Sequence, residues 1–178
     1  MKMLRTTVPV LALAALAAAG CFLVSGQFVV NYALPTPLHV VTGTTLTGVA
    51  VNLNTISTYS DHKAELKRVD DLALIGDFRN NAGAAANVEC WIVPAGTLTL
   101  TAGKLATNGV RLWGPLNVAA GATEKVDWNR SATLFVGGQT LINEIKGDGE
   151  FSLYVIANGA FDVTVTNGAV IAVVGAAK

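Results

Sequence analysis

The stretch VDDLALIGDFRNNAGAAANVECWIV, residues 69–93, decides the fold. From Val69 to Asn80 the residue types alternate, with Leu72, Leu74, Gly76 and Phe78 on one side and Asp71, Ala73, Ile75, Asp77 and Arg79 on the other. A period of two is the signature of a strand with one buried face. Asn80-Asn81-Ala82-Gly83 supplies turn chemistry, and Ala86 to Val93 returns as a second strand. In that return strand Cys90 shares a face with Val88 and Ile92, so its thiol is expected to be an inert core group. Trp91 points to the opposite face.

Strand patterning continues outward in both directions. Glu150–Ala157, Asn158-Gly159 and Phe161–Thr166 read as a hairpin. Asn167-Gly168 precedes Val170–Val174 and reads as a second tight hairpin, with a bulge in one long strand as the other option. Toward the N-terminus, Gln27–Tyr32 reads as a strand closed by Pro35 and Pro37. Pro37–Thr42 follows as a short edge strand, then Thr45–Leu53 with its apolar residues largely on one face. Thr97–Thr101 alternates after the turn at Pro94-Ala95-Gly96. Val110–Trp113 and Leu116–Ala119 are short pieces split by Gly114-Pro115, and Glu124–Trp128 and Ala132–Val136 follow.

Two segments read as short surface helices. Ser60–Arg68 is dense in charge, with Ser60 as its cap and Lys67-Arg68 at its negative end. Gln139–Lys146 has Thr140 as its cap, turns Leu141, Ile142 and Ile145 to the core, and stops at Gly147. Short strands at regular spacing with one or two such helices predict an all-β, antiparallel β-sandwich, immunoglobulin-like in general architecture. The Cys-Trp-Cys spacing of true immunoglobulin domains is missing.

Charged residues make up only 13% of the chain, about half the usual ~25%. Little electrostatic repulsion then opposes association with other copies or partners. No basic patch or basic helix occurs, so nucleic acid is not an expected partner. His39 and His62 lack metal-ligand spacing, and no Gly-x-Ser-x-Gly, phosphate loop or dinucleotide fingerprint is present. Neither a cofactor nor a metal is expected, and no catalytic residue is assigned. Asp148 and Glu150 lie in a glycine loop too sparse for calcium, so they read as turn residues. Trp91, Trp113 and Trp128 form the candidate ligand platform, since exposed aromatics on a sandwich stack on sugar rings; the competing reading places them in the core.

The first 21 residues address the chain. Lys2 and Arg5 make a basic start, Thr6–Ala19 is uncharged and rich in Leu, Val and Ala, and Ala18-Ala19-Gly20 are small. That is the layout of a secretory signal. With Cys21 directly after the small residues, the run resembles the lipobox of bacterial lipoproteins, although Ala18 stands where the family prefers Leu. The resemblance implies cleavage before Cys21 and lipid on its sulfur and new amino group. It divides the chain into a signal peptide (1–20), a lipidated Cys and short tether (21–26) and a sandwich domain (27–178). Loss of Lys2 and Arg5 leaves ten basic against twelve acidic residues, a net of −2.

Two other readings of this run stay open. No Asp, Glu, Lys or Arg occurs between Arg5 and Asp61, so an uncleaved membrane helix over residues 6–30 would be long enough to span a bilayer. A plain secretory signal is the third. Residue patterns in 69–93 and the last strands are similar to those of single-sandwich bacterial lipoproteins, from which no catalytic or binding residue carries over. The expected function is a non-catalytic, membrane-anchored envelope or cell-surface structural and interaction module. Its expected partners are the membrane through Cys21 and either a second copy or an envelope protein. Phe22 after the Cys is not the inner-membrane retention signal, so the resemblance implies the outer membrane where the host has one. A glycan- or other ligand-binding sandwich is the alternative.

Overall fold

The computed structural model describes residues 26–43, 46–94 and 99–177. In chain order the strands are β1 (Gly26–Ala33), β2 (Leu38–Val41), β3 (Leu46–Thr47), β4 (Val49–Asn52), β5 (Leu66–Asn80) and β6 (Ala86–Pro94). They continue with β7 (Thr99–Leu100), β8 (Val110–Val118), β9 (Thr123–Val126), β10 (Glu150–Ala157) and β11 (Asp162–Ala176). Four short α-helices among the described residues are α1 (Ser57–Ser60), α2 (Ala102–Asn108), α3 (Trp128–Leu134) and α4 (Gly138–Lys146), besides single 3-10 turns at Leu53–Thr55 and Lys63–Glu65.

Two antiparallel sheets pack face to face, as the alternation predicts. The first has the order β1-β11-β5-β9, with β2 pairing β11 beyond the end of β1. The second has the order β4-β10-β6-β8. Between them lies one apolar core. Leu72, Leu74 and Phe78 of β5 and Val163, Val165, Val170 and Val174 of β11 come from the first sheet. Val88, Cys90 and Ile92 of β6 and Phe151, Leu153 and Val155 of β10 come from the second. Each such side chain gives roughly 1.5–3 kcal/mol on burial, which is why the two-residue period decides the fold.

A smaller apolar cluster covers the outer face of the second sheet. Val93 and Tyr154 lie there under Leu46, Leu100 and Leu105, which arrive on β3, β7 and α2. Helix α2 was not legible as a helix; Thr101, expected at the end of a strand over 97–101, instead caps it by accepting the Lys104 N–H. Among the described residues that strand reduces to Thr99–Leu100, and 95–98, including the turn expected at Pro94-Ala95-Gly96, lie outside them.

Both tight hairpins expected near the end are corrected. Strand β10 lies in the second sheet between β4 and β6, whereas β11 lies in the first between β1 and β5. Asn158-Gly159 is therefore a passage from sheet to sheet. Its turn chemistry is real, since Gly159 has φ +67° and Asn158 accepts the Asn87 N–H at 2.8 Å. Turn chemistry is local, however, and the fifteen-residue partner strand β5 decides where β11 pairs. At Asn167-Gly168 the chain does not reverse. One long strand carries a bulge there, with a register shift between Thr166 and Ala169 and φ +53° at Asn167.

On the neighbouring edge, the break between β1 and β2 at residues 34–37 meets that bulge. Leu34 donates its N–H to the Gly168 carbonyl at 2.8 Å. A side chain at Gly168 would press on Leu34, 3.1 Å from its Cδ1.

Other boundaries moved as well. The helix expected over Ser60–Arg68 is replaced by α1, which ends at Ser60, and a single turn over Lys63–Glu65; β5 already begins at Leu66. Ser60 is no cap there and donates to the Ser57 carbonyl at 3.2 Å. What fixes this crossing is Tyr59, fully buried, whose hydroxyl donates to the Ile145 carbonyl at 2.8 Å. The strand expected over Ala132–Val136 is largely α3, begun by the Asp127 side chain accepting the Arg130 N–H at 2.9 Å. Val110–Val118 is one strand that runs through Gly114-Pro115, and Thr45–Leu53 is divided between β3 and β4. Helix α4 begins at Gly138, so Thr140 is inside it; Leu141 and Ile145 are buried and Ile142 half-buried.

Candidate functional site

Cys21 and the apolar run before it lie outside the described residues. Gly26 pairs with Ala176, beside Arg68 and Asp70, which form an ion pair at 2.6 Å. Residues 26–30 belong to β1, so a membrane helix reaching residue 30 does not fit the fold. Among the described residues no helix is long and apolar enough to cross a membrane.

The three tryptophans occupy three different environments. Trp113 of β8 is fully buried; its ring stacks on Phe78 and its indole N–H donates to Ser131 Oγ at 3.2 Å. As a ligand platform it is excluded by that burial. Trp91 of β6 is half-buried on the outer face of the second sheet, beside the smaller cluster. Glu89 holds it, one carboxylate oxygen accepting the Trp91 indole N–H at 3.0 Å and the other pairing with Arg111 at 2.9 Å. Trp128 begins α3 at the margin of the first sheet, half-buried, with its indole N–H donated to Asp71 Oδ2 at 3.1 Å. No two of them share a face, as an extended sugar platform would require.

Trp128 does line a cleft of about 420 Å³, together with Ile75, Asp77, Lys125, Asp127 and Asn167. Asp77 on β5 lies opposite Lys125 on β9, and Asn167 reaches Asp77 Oδ2 from the bulge at 2.7 Å. Three of these groups, Asp77, Lys125 and Asn167, were missed in the sequence. Only the Asn-Gly pair hinted at them, and it was read as a reversal of the chain.

The outer face of the first sheet changes character at the bulge. On the β1 side its rows run Val29–Val173–Asp71, Asn31–Ile171–Ala73 and Ala33–Ala169–Ile75. Val29 is 54% exposed, and Ile75, Ile171 and Val173 are half-buried. Beyond the bulge the face is polar. His39 and Asp162 meet at 2.7 Å, and Asn81 donates to the same carboxylate at 2.9 Å. Those bonds, Asn81 first and then His39, hold the Asp162 carboxyl below the usual carboxylate range.

Polar groups also gather at the loop before β10. Lys63 donates to Asn54 Oδ1 at 3.0 Å and to the Asp148 carbonyl at 2.6 Å, while Asp148 Oδ1 accepts the Glu150 N–H at 2.9 Å. These are loop-closing bonds. Burial, and then the charge of Asp148, raise the carboxyl of Glu144 nearby. Among the described residues no group of three or more His, Cys, Asp or Glu could hold a metal ion. Cys90 is 1% exposed in the core between Val88 and Ile92, and burial pushes its thiol up to about 12. Comparison with protein-family models, curated proteins and solved structures finds no match to this chain.

Proposed function

We propose that the chain is a non-catalytic lipoprotein module, held at the cell envelope by lipid on Cys21 and packed against further copies of itself. The observation that carries the packing is the apolar half of the first sheet's outer face, where Val29, Val173, Ile171 and Ile75 lie on three adjacent strands. This half includes β1, the strand that follows the tether, so anchored copies would present it at a common height above the membrane. With charged residues at 13%, repulsion between copies is weak. Confinement to a membrane raises the local concentration of copies in the way a linker does.

The anchor is tested by the mass of the mature N-terminus; a free Cys21 or a retained Met1 ends the lipoprotein reading. Packing is tested by cross-linking in membranes of the wild type and of Val29→Lys with Val173→Lys. A wild-type dimer band that disappears in the variant supports the reading, and equal bands, or none in either, overturn it.

A further inference from the structure

Asn167 is a non-glycine residue held at φ +53° within a strand, a left-handed conformation that L residues rarely adopt. Bulges of this kind re-aim a side chain, and they concentrate beside functional sites. Here the bulge turns the Asn167 carboxamide across to Asp77, at the rim of the 420 Å³ cleft. That volume lies within the range of small-molecule sites.

The wall opposite is stiff. Trp128 is fixed at both ends, by its place at the start of α3 under the Asp127 cap and by its indole bond to Asp71. Lys125 faces the same space and makes no hydrogen bond or ion pair with a described residue, although Asp77 lies opposite it in register. A cleft with one aromatic wall therefore offers a carboxylate acceptor, a carboxamide with both donor and acceptor atoms, and an ammonium donor.

We infer that this cleft binds a pyranose ring of a neutral glycan, stacked on Trp128 and held through its hydroxyls by Asp77, Asn167 and Lys125. The mixture of groups points to the class. An anionic ligand meets Asp77 and Asp127, and a ligand with donors alone leaves the Lys125 ammonium without an acceptor. A purely apolar ligand would strip water from Asp77 and Lys125 without replacing it. Sugar hydroxyls both donate and accept, so neighbouring hydroxyls satisfy all three polar groups, while the C–H face of the ring lies on the negative face of the indole.

The test uses the full-length protein in detergent micelles and saturation-transfer NMR with cellotriose, maltotriose and the trimer of N-acetylglucosamine. At least one is expected to bind saturably, with affinity lowered about tenfold or more, equivalent to about 1.4 kcal/mol, by Trp128→Ala and unchanged by Trp91→Ala. Asn167→Gly separates binding from folding, because glycine relieves the positive φ while removing the carboxamide; it should raise the denaturation midpoint and still weaken binding. Lys125→Ala, at an unpaired position, serves if Trp128→Ala does not fold. Absence of binding by all three sugars at about 10 mM, a range far weaker than the ~1 mM of modest ligands, overturns the inference. So does affinity that survives Asn167→Gly and Lys125→Ala together.

Discussion

The ring of Phe78, on β5 of the first sheet, lies stacked on the indole of Trp113, on β8 of the second, with centroids 5.4 Å apart and planes 19° from parallel. This pair ties the two layers together where the alternating strand of residues 69–80 crosses the core. Trp113→Ala should cost about 3–5 kcal/mol, the scale of large core truncations. Trp91→Ala, at a half-buried position, should cost less than half of that. Urea denaturation of both variants checks the difference, and equal losses would contradict the assignment of Trp113 alone to the core.

Two buried serines make opposite predictions. Ser131 Oγ accepts the Leu74 N–H at 2.7 Å and the Trp113 indole N–H at 3.2 Å, capping the stretch of β5 that β9 does not reach. Ser131→Ala leaves both donors buried without a partner, at about 1–3 kcal/mol each. Ser152 Oγ is buried without a hydrogen-bond partner among the described residues, so Ser152→Ala should be neutral or stabilise by up to about 1 kcal/mol. Thermal midpoints that move in the same direction for the two variants would refute the contrast.

Glycine positions separate strain from crowding. Gly159 has φ +67° with open space around it, whereas Gly149 has φ +76° and its added Cβ would fall on the Tyr59 ring, 2.8 Å from Cζ. Gly159→Ala should cost only the backbone term, about 1–2 kcal/mol. Gly149→Ala should cost more, because Tyr59 is locked by its bond to the Ile145 carbonyl. Matching denaturation midpoints for the two would show that Tyr59 yields freely.

Stability should fall in alkali with two onsets. The Cys90 thiol is held up to about 12 by burial, and Tyr59 is raised to about 12 by burial and then by the charge of Asp148. In the unfolded chain these groups ionise near ~8.5 and ~10. Between those values and 12 the folded state holds more protons, so stability is complete below pH ~8.5 and is lost as pH rises through the window. Cys90→Ala should remove the first onset and leave the second. Urea midpoints from pH 7 to 11 measure both, and a first onset that persists in Cys90→Ala would refute its assignment.

What could be read from the sequence was decided by how local its cause is. The burial of Leu72, Leu74 and Phe78, of Val88 and Cys90, and of Leu141 and Ile145 follows from periodicity within single elements. Helix α2 carries no sequence expectation and α3 is expected as strand, because each is only seven residues long, too short for a helical period to stand out from neighbouring threonines and valines. Their caps, Thr101 and Asp127, were the signals present. Partner choice for β10 and β11 had no local sign, since Asn158-Gly159 suits a hairpin and a crossing equally. For the same reason the cleft was hidden. Its groups come from β5, β9, α3 and the β11 bulge, and nothing in the order of residues brings them together.

Strand β11 is the central partner of the first sheet, holding β1 and β2 on one edge and β5 on the other. On a ribosome, then, β1 emerges more than a hundred residues before the strand it must join. Until residues 162–176 are released, β1, β2 and β5 are three unmatched edges, and a nascent chain stalled before that point has half a sandwich open to foreign strands. Closure of the domain is thus an event of late synthesis, and it brings Gly26 to the side of Ala176 in the same step.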